Sequence, residues 1–325
     1  MAFQVSPGVL VQERDLTRII PAVSTAIGAF AGSFNKGPLD EIVSISSEQE
    51  LVDTFGKPDS TNFEYFFSAA NFLQYSNSLR VVRATQTNAV NASTSGTGVL
   101  IKNTDDWQNN YASGGQAGNA TFVAREAGTD GNNLQVSTCP NAAAYEEEGA
   151  TTVNDASTAV GDTVVVTASG AALNVGDIIS FSTTAATNDY DDGEQYRVTN
   201  ISTNDVTIVQ HPRGTGGLKR TLTDGCNIRR RWKYYDAVDG APGTSTYVSE
   251  RNGANDEIHV VVIDEDGGIS GVPGTILETY SKLSKASDAK DPQGNDNYYP
   301  NVIYTKSQYI YWTKHHASGS NWGNA

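Results

Sequence analysis

Cysteine and basic residues are scarce in this 325-residue chain, and each shortage excludes a class of protein. The two cysteines, Cys139 and Cys226, are too few for the disulfide framework of a secreted domain, so we expect free thiols in a reducing compartment. Lysine and arginine number 22 against 37 aspartates and glutamates, and the formal net charge is −15. This acidic balance argues against wrapping DNA or coating an anionic membrane, because phosphate groups are bound by clustered cations.

Long apolar runs are missing as well. No run approaches the ~20 residues that a membrane-spanning helix needs. The N-terminus shows neither the basic region nor the apolar core of a signal peptide. The length instead suggests roughly two domains with a sizeable core. The many Gly, Ser, Thr, Asn and Asp residues indicate numerous turns and short strands.

Motifs that could carry chemistry are also incomplete. The stretch RGTGGLKR (213–220) resembles a phosphate-binding loop, but Leu218 precedes Lys219 and β-rich sequence surrounds it, so we interpret it as a turn with a basic rim. The acidic stretches 189–194 and 264–268 lack the distal glutamate of an EF-hand. No nucleophile motif accompanies any histidine. We therefore predict no enzyme, with no catalytic, cofactor-binding or metal-binding residues.

The first part of the chain alternates strands and helices. Buried strands are predicted at 23–31, 42–45 and 79–84, and the capping-box spacing of Ser47 and Glu50 predicts the first of two intervening helices. The second helix carries an apolar stripe that we interpret as core packing: Phe63, Phe66, Phe67, Ala70 and Leu73. Strand, helix, helix, strand is the opening of an α/β unit.

The stretch from about Glu146 to about Leu222 has a different character. Short β-rich segments are separated by turn residues, and Asn204-Asp205 stands between two of them at hairpin distance. No helical period is present. We predict a self-contained all-β module inserted at an exposed loop, which requires its two ends to lie close together. Beyond it, the segment YYPNVIYTKSQYIYW (298–312) is predicted to form further strands.

Three consecutive arginines, Arg229, Arg230 and Arg231, stand just before a group of aromatic residues. Basic residues interleaved with aromatics can bind single-stranded nucleic acid. On a strand, however, alternate arginines point to opposite faces. Because the chain is acidic overall, we favour contacts of these arginines with acidic surfaces of a neighbouring copy.

The extreme N-terminus has an alternating pattern without an obvious partner. Pro7-Gly8 interrupts the pattern, and a polar, linker-like segment follows at 13–18. No hairpin partner stands nearby in the sequence. The pattern predicts a short strand whose apolar residues are Phe3, Val5, Val9 and Val11.

Several motifs in a fixed order resemble the contractile tail sheath proteins of myovirus-type phages. They are SPGVLVQERDLT, FNKGP, SSEQELVDTFGKP, LRVVRA and AREAGTDGNNLQV. The most specific one, DEDGGISGVPGTILETYSKLSKASDAKDPQGNDNYY, looks like the sheath of a T4-like phage of the cyanophage type. Members of this family usually continue beyond a position like NWGNA into a C-terminal domain, so either this is a partial chain, which we favour, or the sheath is unusual.

The resemblance implies a structural virion subunit that is made in the host cytoplasm. Its copies would form hexameric rings stacked in a helical sheath around an inner tail tube. Contraction would drive the tube through the host envelope for genome ejection. The implied partners are other copies of the chain, the tail tube, the baseplate and the tail terminator, without direct nucleic acid binding or membrane insertion.

The implied fold is an α/β (α+β) sheath core with an inserted all-β barrel- or sandwich-like domain and an extended N-terminal arm. Residues 1–20 would be an arm whose strand pairs with a sheet of a neighbouring subunit. Residues 21–145 and 225–325 would form the core, and residues 146–224 would be the insert on the outer surface. The alternative function is a virion surface module in which the insert binds glycans or the host surface.

Overall fold

A computed structural model of the chain describes residues 27–85, 87–95, 97–118, 120–315 and 324–325. The chain divides into two compact units between Asn88 and Ala89. Within the described ranges no helix is long and apolar enough to cross a membrane. The predicted N-terminal strand lies outside the described residues.

The first unit is a small α/β structure. Its elements are β1 Gly28–Gly32, β2 Ile42–Ile45, α1 Glu48–Phe55, α2 Phe63–Leu73 and β3 Leu79–Arg83. The three strands form one sheet in the order β1-β3-β2, with β1 parallel and β2 antiparallel to β3. The predicted order of strand, helix, helix and strand is therefore present.

Helix α1 begins where the capping-box spacing predicts. The Ser47 hydroxyl accepts a hydrogen bond from the Glu50 amide at 3.2 Å. The Glu50 carboxylate accepts one from the amide of Ser46 at 2.8 Å, and so reaches one residue further back than in the standard box. Gly56 ends the helix with a positive φ of 89°, a conformation that suits glycine.

Helix α2 packs on the sheet through only part of its apolar stripe. Phe66 and Ala70 are buried with the sheet residues Leu79 and Val81. The predicted core role is wrong for Phe63 and Phe67, which are 47% and 50% exposed. These two residues lie one turn apart on the helix and are not among the buried core residues of this unit.

The described residues of the second unit form three sheets. One has six antiparallel strands in the order β6-β11-β8-β9-β10-β7, one has the order β13-β12-β5, and one pairs β14 with β4. The elements, in chain order, are α3 Thr104–Asn110, β4 Phe122–Ala124, β5 Leu134–Cys139, α4 Ala142–Tyr145, β6 Glu146–Thr152, β7 Val164–Val166, β8 Ile178–Ala185, β9 Tyr190–Ser202, β10 Asp205–His211, β11 Cys226–Arg231, α5 Thr246–Ser249, β12 Glu257–Asp264, β13 Thr275–Ser284, α6 Tyr299–Lys306 and β14 Ile310–Trp312.

The six-stranded sheet forms around its own apolar core, which includes Phe181, Tyr196 and Ile228. Its edge strands β6 and β7 meet only beyond their ends, where Val153 and Thr167 form an isolated bridge. They share no regular ladder, so the sheet is not a closed barrel. The fold is mixed α/β with several sheets and few helices, and the inserted domain stays a prediction.

Strand β11 belongs to this sheet, although the predicted boundary at residue 224 assigns it to the core. It is paired with β6 on one side and β8 on the other, and Ile228 on it is fully buried. The ladder with β6 ends at the pair of Arg231 and Glu146. The sheet thus begins and ends at neighbouring residues, as an insertion requires.

The prediction of strands throughout 298–312 is wrong in its first half. Residues Tyr299–Lys306 form helix α6, and only Ile310–Trp312 form a strand. Pro300 lies in the first turn of the helix, where a missing amide hydrogen costs nothing. Tyr299, Val302 and Ile303 are buried in the main core of the second unit.

Candidate functional site

The three arginines of β11 face acidic residues of their own chain. The guanidinium of Arg230 donates to the Glu147 carboxylate at 2.8 Å, across the ladder between β11 and β6. The guanidinium of Arg231 donates to the Glu146 carboxylate on the same strand, and that of Arg229 donates to the Asp192 carboxylate. The row is therefore paired within the chain.

These arginine side chains are largely buried, at 8%, 13% and 17% exposure for Arg229, Arg230 and Arg231. Burial lowers the pKa of Arg231, but hydrogen bonding and attraction to Glu146 outweigh it, so the net pKa is raised. The Arg230 guanidinium lies 3.9 Å from the carboxylate of Asp177. Burial raises the pKa of Asp177, and hydrogen bonds from Asn174 and the charge of Arg230 oppose the rise.

Aromatic rings contact two of the three arginines. The guanidinium of Arg229 lies 4.7 Å from the centre of the Tyr190 ring, and that of Arg231 lies 5.3 Å from the Tyr235 ring. The predicted role of Arg229, Arg230 and Arg231 in contacts between subunits stays a prediction. The carboxylate with which Arg229 pairs, on Asp192, is itself 62% exposed and so faces solvent.

A second polar cluster is buried around β12. The Asp256 carboxylate accepts hydrogen bonds from the Ser245 amide at 2.8 Å, the Ser245 hydroxyl at 2.9 Å and the Ser284 hydroxyl. The Lys285 ammonium group donates to the Pro140 carbonyl at 2.6 Å. Burial lowers the pKa of Lys285, although the charge of Asp256 opposes this.

His259 lies opposite Cys139 in the ladder between β12 and β5. Its Nδ1 accepts from the Lys282 amide at 2.9 Å, and its Nε2 lies 3.0 Å from the Gly240 carbonyl, so the neutral ring carries its proton on Nε2. Burial lowers the pKa of His259 and raises that of the Cys139 thiol to about 12. Both residues are fully buried, so this cluster packs and orients strands and offers no access to a substrate.

In the motifs that resemble ligand-binding loops, the side chains form hydrogen bonds and ion pairs within the chain or are buried. The Asp264 carboxylate accepts from the amides of Ile269 and Ser270 at 3.0 and 2.6 Å and so closes a turn. In the 213–220 stretch Leu218 is buried and Arg220 pairs with Glu194 at 3.1 Å. Across the described ranges no group of three or more His, Cys, Asp and Glu side chains is placed to hold a metal ion.

Among the described residues, one face of the sheet of the first unit is exposed and is called the bare face below. Helices α1 and α2 pack on the other face, which carries Leu79 and Val81. The bare face consists of two rows of residues that are opposite one another in the three strands. The rows are Ala29, Arg80 and Ser44, and Ala31, Val82 and Ile42. All of these are exposed except Val82, which is half-buried.

The helix layer of the same unit is acidic and carries aromatic residues on its surface. Helix α1 carries Glu48, Glu50 and Asp53, helix α2 carries Glu64, and neither helix contains a lysine or arginine. Phe63 and Phe67 stand exposed beside Glu64. The sequence interpretation missed this surface because an i, i+4 aromatic pair has the same spacing whether it is buried or exposed.

The surface-binding alternative would be favoured by exposed aromatic rings on the six-stranded sheet, and Tyr190 and Tyr196 are two tyrosines of its strand β9. Tyr196 is only 1% exposed, and its hydroxyl accepts from the Lys219 amide at 2.9 Å. Tyr190 carries the Arg229 guanidinium on its ring. The Tyr196 ring is therefore buried, and the Tyr190 ring is engaged by Arg229 on one face.

Comparison with known proteins gives a consistent set of relatives. The model of the tail sheath protein Gp18 domain III N-terminal region matches residues 25–84, which include the whole described sheet of the first unit. A tail sheath protein of Enterobacteria phage T4 is 35% identical over 131 residues, or 40% of this chain and 20% of the relative. Tail sheath proteins of Vibrio phage KVP40 and Salmonella phage ViI are 40% identical over 78 residues and 24% identical over 340 aligned positions.

The coverage of these relatives is uneven. The alignment with the phage ViI protein covers 95% of this chain but 49% of the relative, and that with the KVP40 protein covers 24% and 12%. The chain thus spans about half, or less, of the length of the curated relatives that it matches. All three relatives are named as tail sheath proteins, a structural class, in agreement with the prediction that the chain is not an enzyme.

Proposed function

We propose that this chain, a relative of the tail sheath proteins of contractile phages, is a structural subunit of a tail sheath and a component of the virion. The observation that carries the proposal is the match of the sheath family model to residues 25–84. Those residues fold as the α/β unit that the sequence motifs predict. The relation to phage ViI, which extends over 95% of this chain, supports the same function for the second unit.

In the proposed assembly, copies of the chain form stacked hexameric rings around an inner tail tube. The extended lattice is a metastable state that relaxes on contraction and drives the tube through the host envelope, without any nucleotide. The baseplate lies at one end of the lattice and the tail terminator at the other. The acidic chain, with its net charge of −15, repels its own copies weakly and keeps free subunits soluble before assembly.

Two further elements belong to this proposal. The N-terminal strand with Phe3, Val5, Val9 and Val11 pairs with a sheet of a neighbouring subunit and links the copies while the lattice rearranges. The six-stranded sheet is an insertion on the outer surface of the tail. The pairing of Glu146 with Arg231 supports the insertion, because the segment leaves and rejoins the rest of the chain at one place.

Negative-stain microscopy of the purified protein tests the proposed function. We expect tubes or stacked rings at high protein concentration, because a sheath subunit polymerises with itself. A monodisperse monomer that binds glycans in an array would instead favour the surface-binding alternative. Inner-surface density for residues 146–231 in a reconstruction would contradict the outward position of the insertion.

A further inference from the structure

We propose that His259 lies at the centre of an acid-sensitive joint, and that protonation of its ring lets the six-stranded sheet move relative to the sheet β13-β12-β5. The inference goes beyond the proposed function and does not depend on it, because every contact that carries it lies inside one chain. The joint consists of His259, the segment that enters the six-stranded sheet, residues 140–145, and the segment that leaves it, residues 232–240.

The His259 ring packs against both of these segments. The Tyr145 ring, at the end of the entering segment, stands edge-on to the imidazole, with 6.3 Å between the ring centres. The Trp232 ring, at the start of the leaving segment, lies at the same 6.3 Å and is tilted by 28° from the imidazole. The Trp232 amide also donates to the Tyr145 carbonyl at 2.8 Å. A displacement of the His259 ring therefore acts on both connections to the six-stranded sheet.

The leaving segment is bonded to both sheets through two adjacent tyrosines. The Tyr234 hydroxyl donates to the side-chain oxygen of Gln135 on β5 at 2.9 Å. The Tyr235 hydroxyl donates to the side-chain oxygen of Gln195 on β9, in the six-stranded sheet, at 3.0 Å. While the segment stays in place, these bonds fix the orientation of one sheet relative to the other.

The neutral form of His259 holds the leaving segment against strand β13. Its Nε2 donates to the carbonyl of Gly240, at the end of that segment, and its Nδ1 accepts from the amide of Lys282 on β13. A proton on Nδ1 would place two donors against each other, and the bond to β13 would be lost. Because the buried imidazolium has no water there to replace that bond, it is stabilised by leaving its position, which opens the joint.

The nearest groups do not offset the charge of a protonated ring. Burial lowers the pKa of His259 and the charge of Lys282 lowers it further, against the opposing effect of the bond to the Gly240 carbonyl. The centres of the Tyr145 and Trp232 rings lie 6.3 Å away, beyond the distance of about 6 Å at which an aromatic face stabilises a cation. The closed joint therefore disfavours protonation.

The carboxylates around the joint have other partners or face solvent. The two nearest along the chain, Asp256 and Glu257, accept hydrogen bonds from the amides of Ser245 and Gly243. Burial raises the pKa values of two further groups, which stay neutral: Cys139 on β5 and Tyr145 on α4. Three charged residues of the leaving segment are exposed: Lys233, Asp236 and Asp239.

The opening of the joint is linked to proton binding. An open joint gives the ring its ordinary pKa of 6.5, whereas the closed joint keeps the pKa lower, so the open form binds more protons below about pH 6.5. The opening constant should therefore rise by up to about tenfold from pH 7.5 to pH 5.5. Each sheet packs on its own apolar core, so opening leaves both sheets folded.

Hydrogen exchange of the full chain, followed by mass spectrometry, tests this proposal. The amides of Trp232 and Lys282 report on the joint, because they donate to Tyr145 and His259, and the amide of Ile208 in β10 reports on the six-stranded sheet. After correction for intrinsic exchange rates, the joint amides should be less protected than Ile208. Their protection should fall about tenfold from pH 7.5 to pH 5.5. Protection equal to that of Ile208 at both pH values, or protection that does not change with pH, would overturn the proposal.

Three variants identify the group responsible. In His259→Gln, whose side chain does not titrate but has both a donor and an acceptor, the tenfold fall should disappear. His211→Gln is the matched control, because it removes another histidine with a pKa lowered by burial, and the fall should remain. Tyr235→Phe removes the bond to Gln195 and should lower joint protection about threefold or more at both pH values, with the ratio between them unchanged.

Tyr235→Phe also keeps the test decisive if His259→Gln does not fold. A fall that persists in a folded His259→Gln would show that another group titrates, and the proposal would be wrong. Unchanged joint protection in Tyr235→Phe would show that the leaving segment does not hold the two sheets together, and would contradict the proposal equally. Since the chain is measured unassembled, either result leaves the proposed function untouched.

Discussion

His259 lies in a setting that favours its neutral form. Its Nδ1 accepts a hydrogen bond from the Lys282 amide, and a second proton on the ring would leave two donors facing each other. Burial also disfavours the charged ring, and so the pKa is lowered from its ordinary value of 6.5. Below about pH 6.5 the unfolded chain therefore binds more protons than the folded chain.

We predict that the free energy of unfolding falls as the pH drops below about 6.5 toward the lowered pKa of folded His259, and is unaffected by this group above that range. His259→Gln cannot titrate and should reduce this dependence between pH 5 and 7. Urea titrations at several pH values measure it. The pKa values of His211 and His315 are also lowered by burial, so His211→Gln serves as a comparison. An unchanged slope in His259→Gln would contradict the prediction.

The two cysteines are free and buried, as the shortage of cysteine predicts. They lie in different sheets, Cys139 in β5 and Cys226 in β11. Burial raises the pKa of Cys139 to about 12, which reduces its thiolate share at pH 8 by about a thousandfold relative to an ordinary thiol. The two cysteines lie on either side of the segment that the sequence predicts to be inserted, and the structure places them in different sheets.

We predict that Cys139 resists iodoacetamide in the folded protein and is alkylated after denaturation without reductant. Mass spectrometry of the two digests measures this. Ser44→Cys, on the exposed sheet face, supplies a reactive thiol as a positive control. A peptide in which Cys139 and Cys226 are cross-linked, from protein kept under native conditions, would show that the thiols are not free.

At the scale of elements, capping is the feature that the sequence predicts best. Ser47 provides the side-chain cap that its spacing from Glu50 indicates. Hydrogen bonds from the Ser46 side chain and amide lower the pKa of the Glu50 carboxylate. The interaction is local, so a few neighbouring residues are enough to predict it.

Ser47→Ala should lower the free energy of unfolding by about 1 kcal/mol, because the Glu50 amide loses its acceptor. The change is measured by urea denaturation. Ser68→Ala is the control, since the Ser68 hydroxyl donates to the Glu64 carbonyl within α2 and the substitution should cost little or nothing. Equal losses in the two variants would rule out a specific capping effect.

Other elements could not be predicted from local patterns. Helix α3 lies in a stretch that resembles a surface loop, yet the Asn103 side chain caps it and Trp107 is buried. The pairing of β11 with both β6 and β8 depends on contacts more than 40 residues apart in the chain. The exposure of Phe63 and Phe67 on α2 depends on which residues pack against the helix. In each case, long-range packing decides what the local pattern leaves open.

The position of β11 gives a prediction about fragments. Residues 144–233 should fold alone as a β-sheet, whereas residues 148–224 should not, because the shorter piece lacks the strand that joins β6 to β8. Circular dichroism and NMR spectra of the two fragments distinguish them. A well-dispersed spectrum from the shorter fragment would mean that β11 is dispensable.

For the whole molecule, the N-terminal arm gives a prediction that is independent of the described sheets. Deleting residues 2–14 should leave the subunit folded and abolish or reduce assembly, because in the proposed strand exchange the arm pairs with a neighbouring copy and not with its own core. Circular dichroism and electron microscopy of the same sample test both parts. Loss of the folded structure would place the strand inside its own domain and contradict the exchange.

The place where β6 begins and β11 ends, which connects the six-stranded sheet to the rest of the chain, has a mechanical consequence. Glu146 and Arg231 face each other across β6 and β11, and just outside them the Trp232 amide donates to the Tyr145 carbonyl at 2.8 Å. Tension along the backbone is therefore transmitted between the segments before β6 and after β11 at this point, and the rest of the sheet does not carry it. Antiparallel strands that are pulled apart from adjacent ends open like a zipper, one hydrogen-bonded pair at a time. Resistance to such a force is thus concentrated in the bond between Tyr145 and Trp232 and the ion pair beside it.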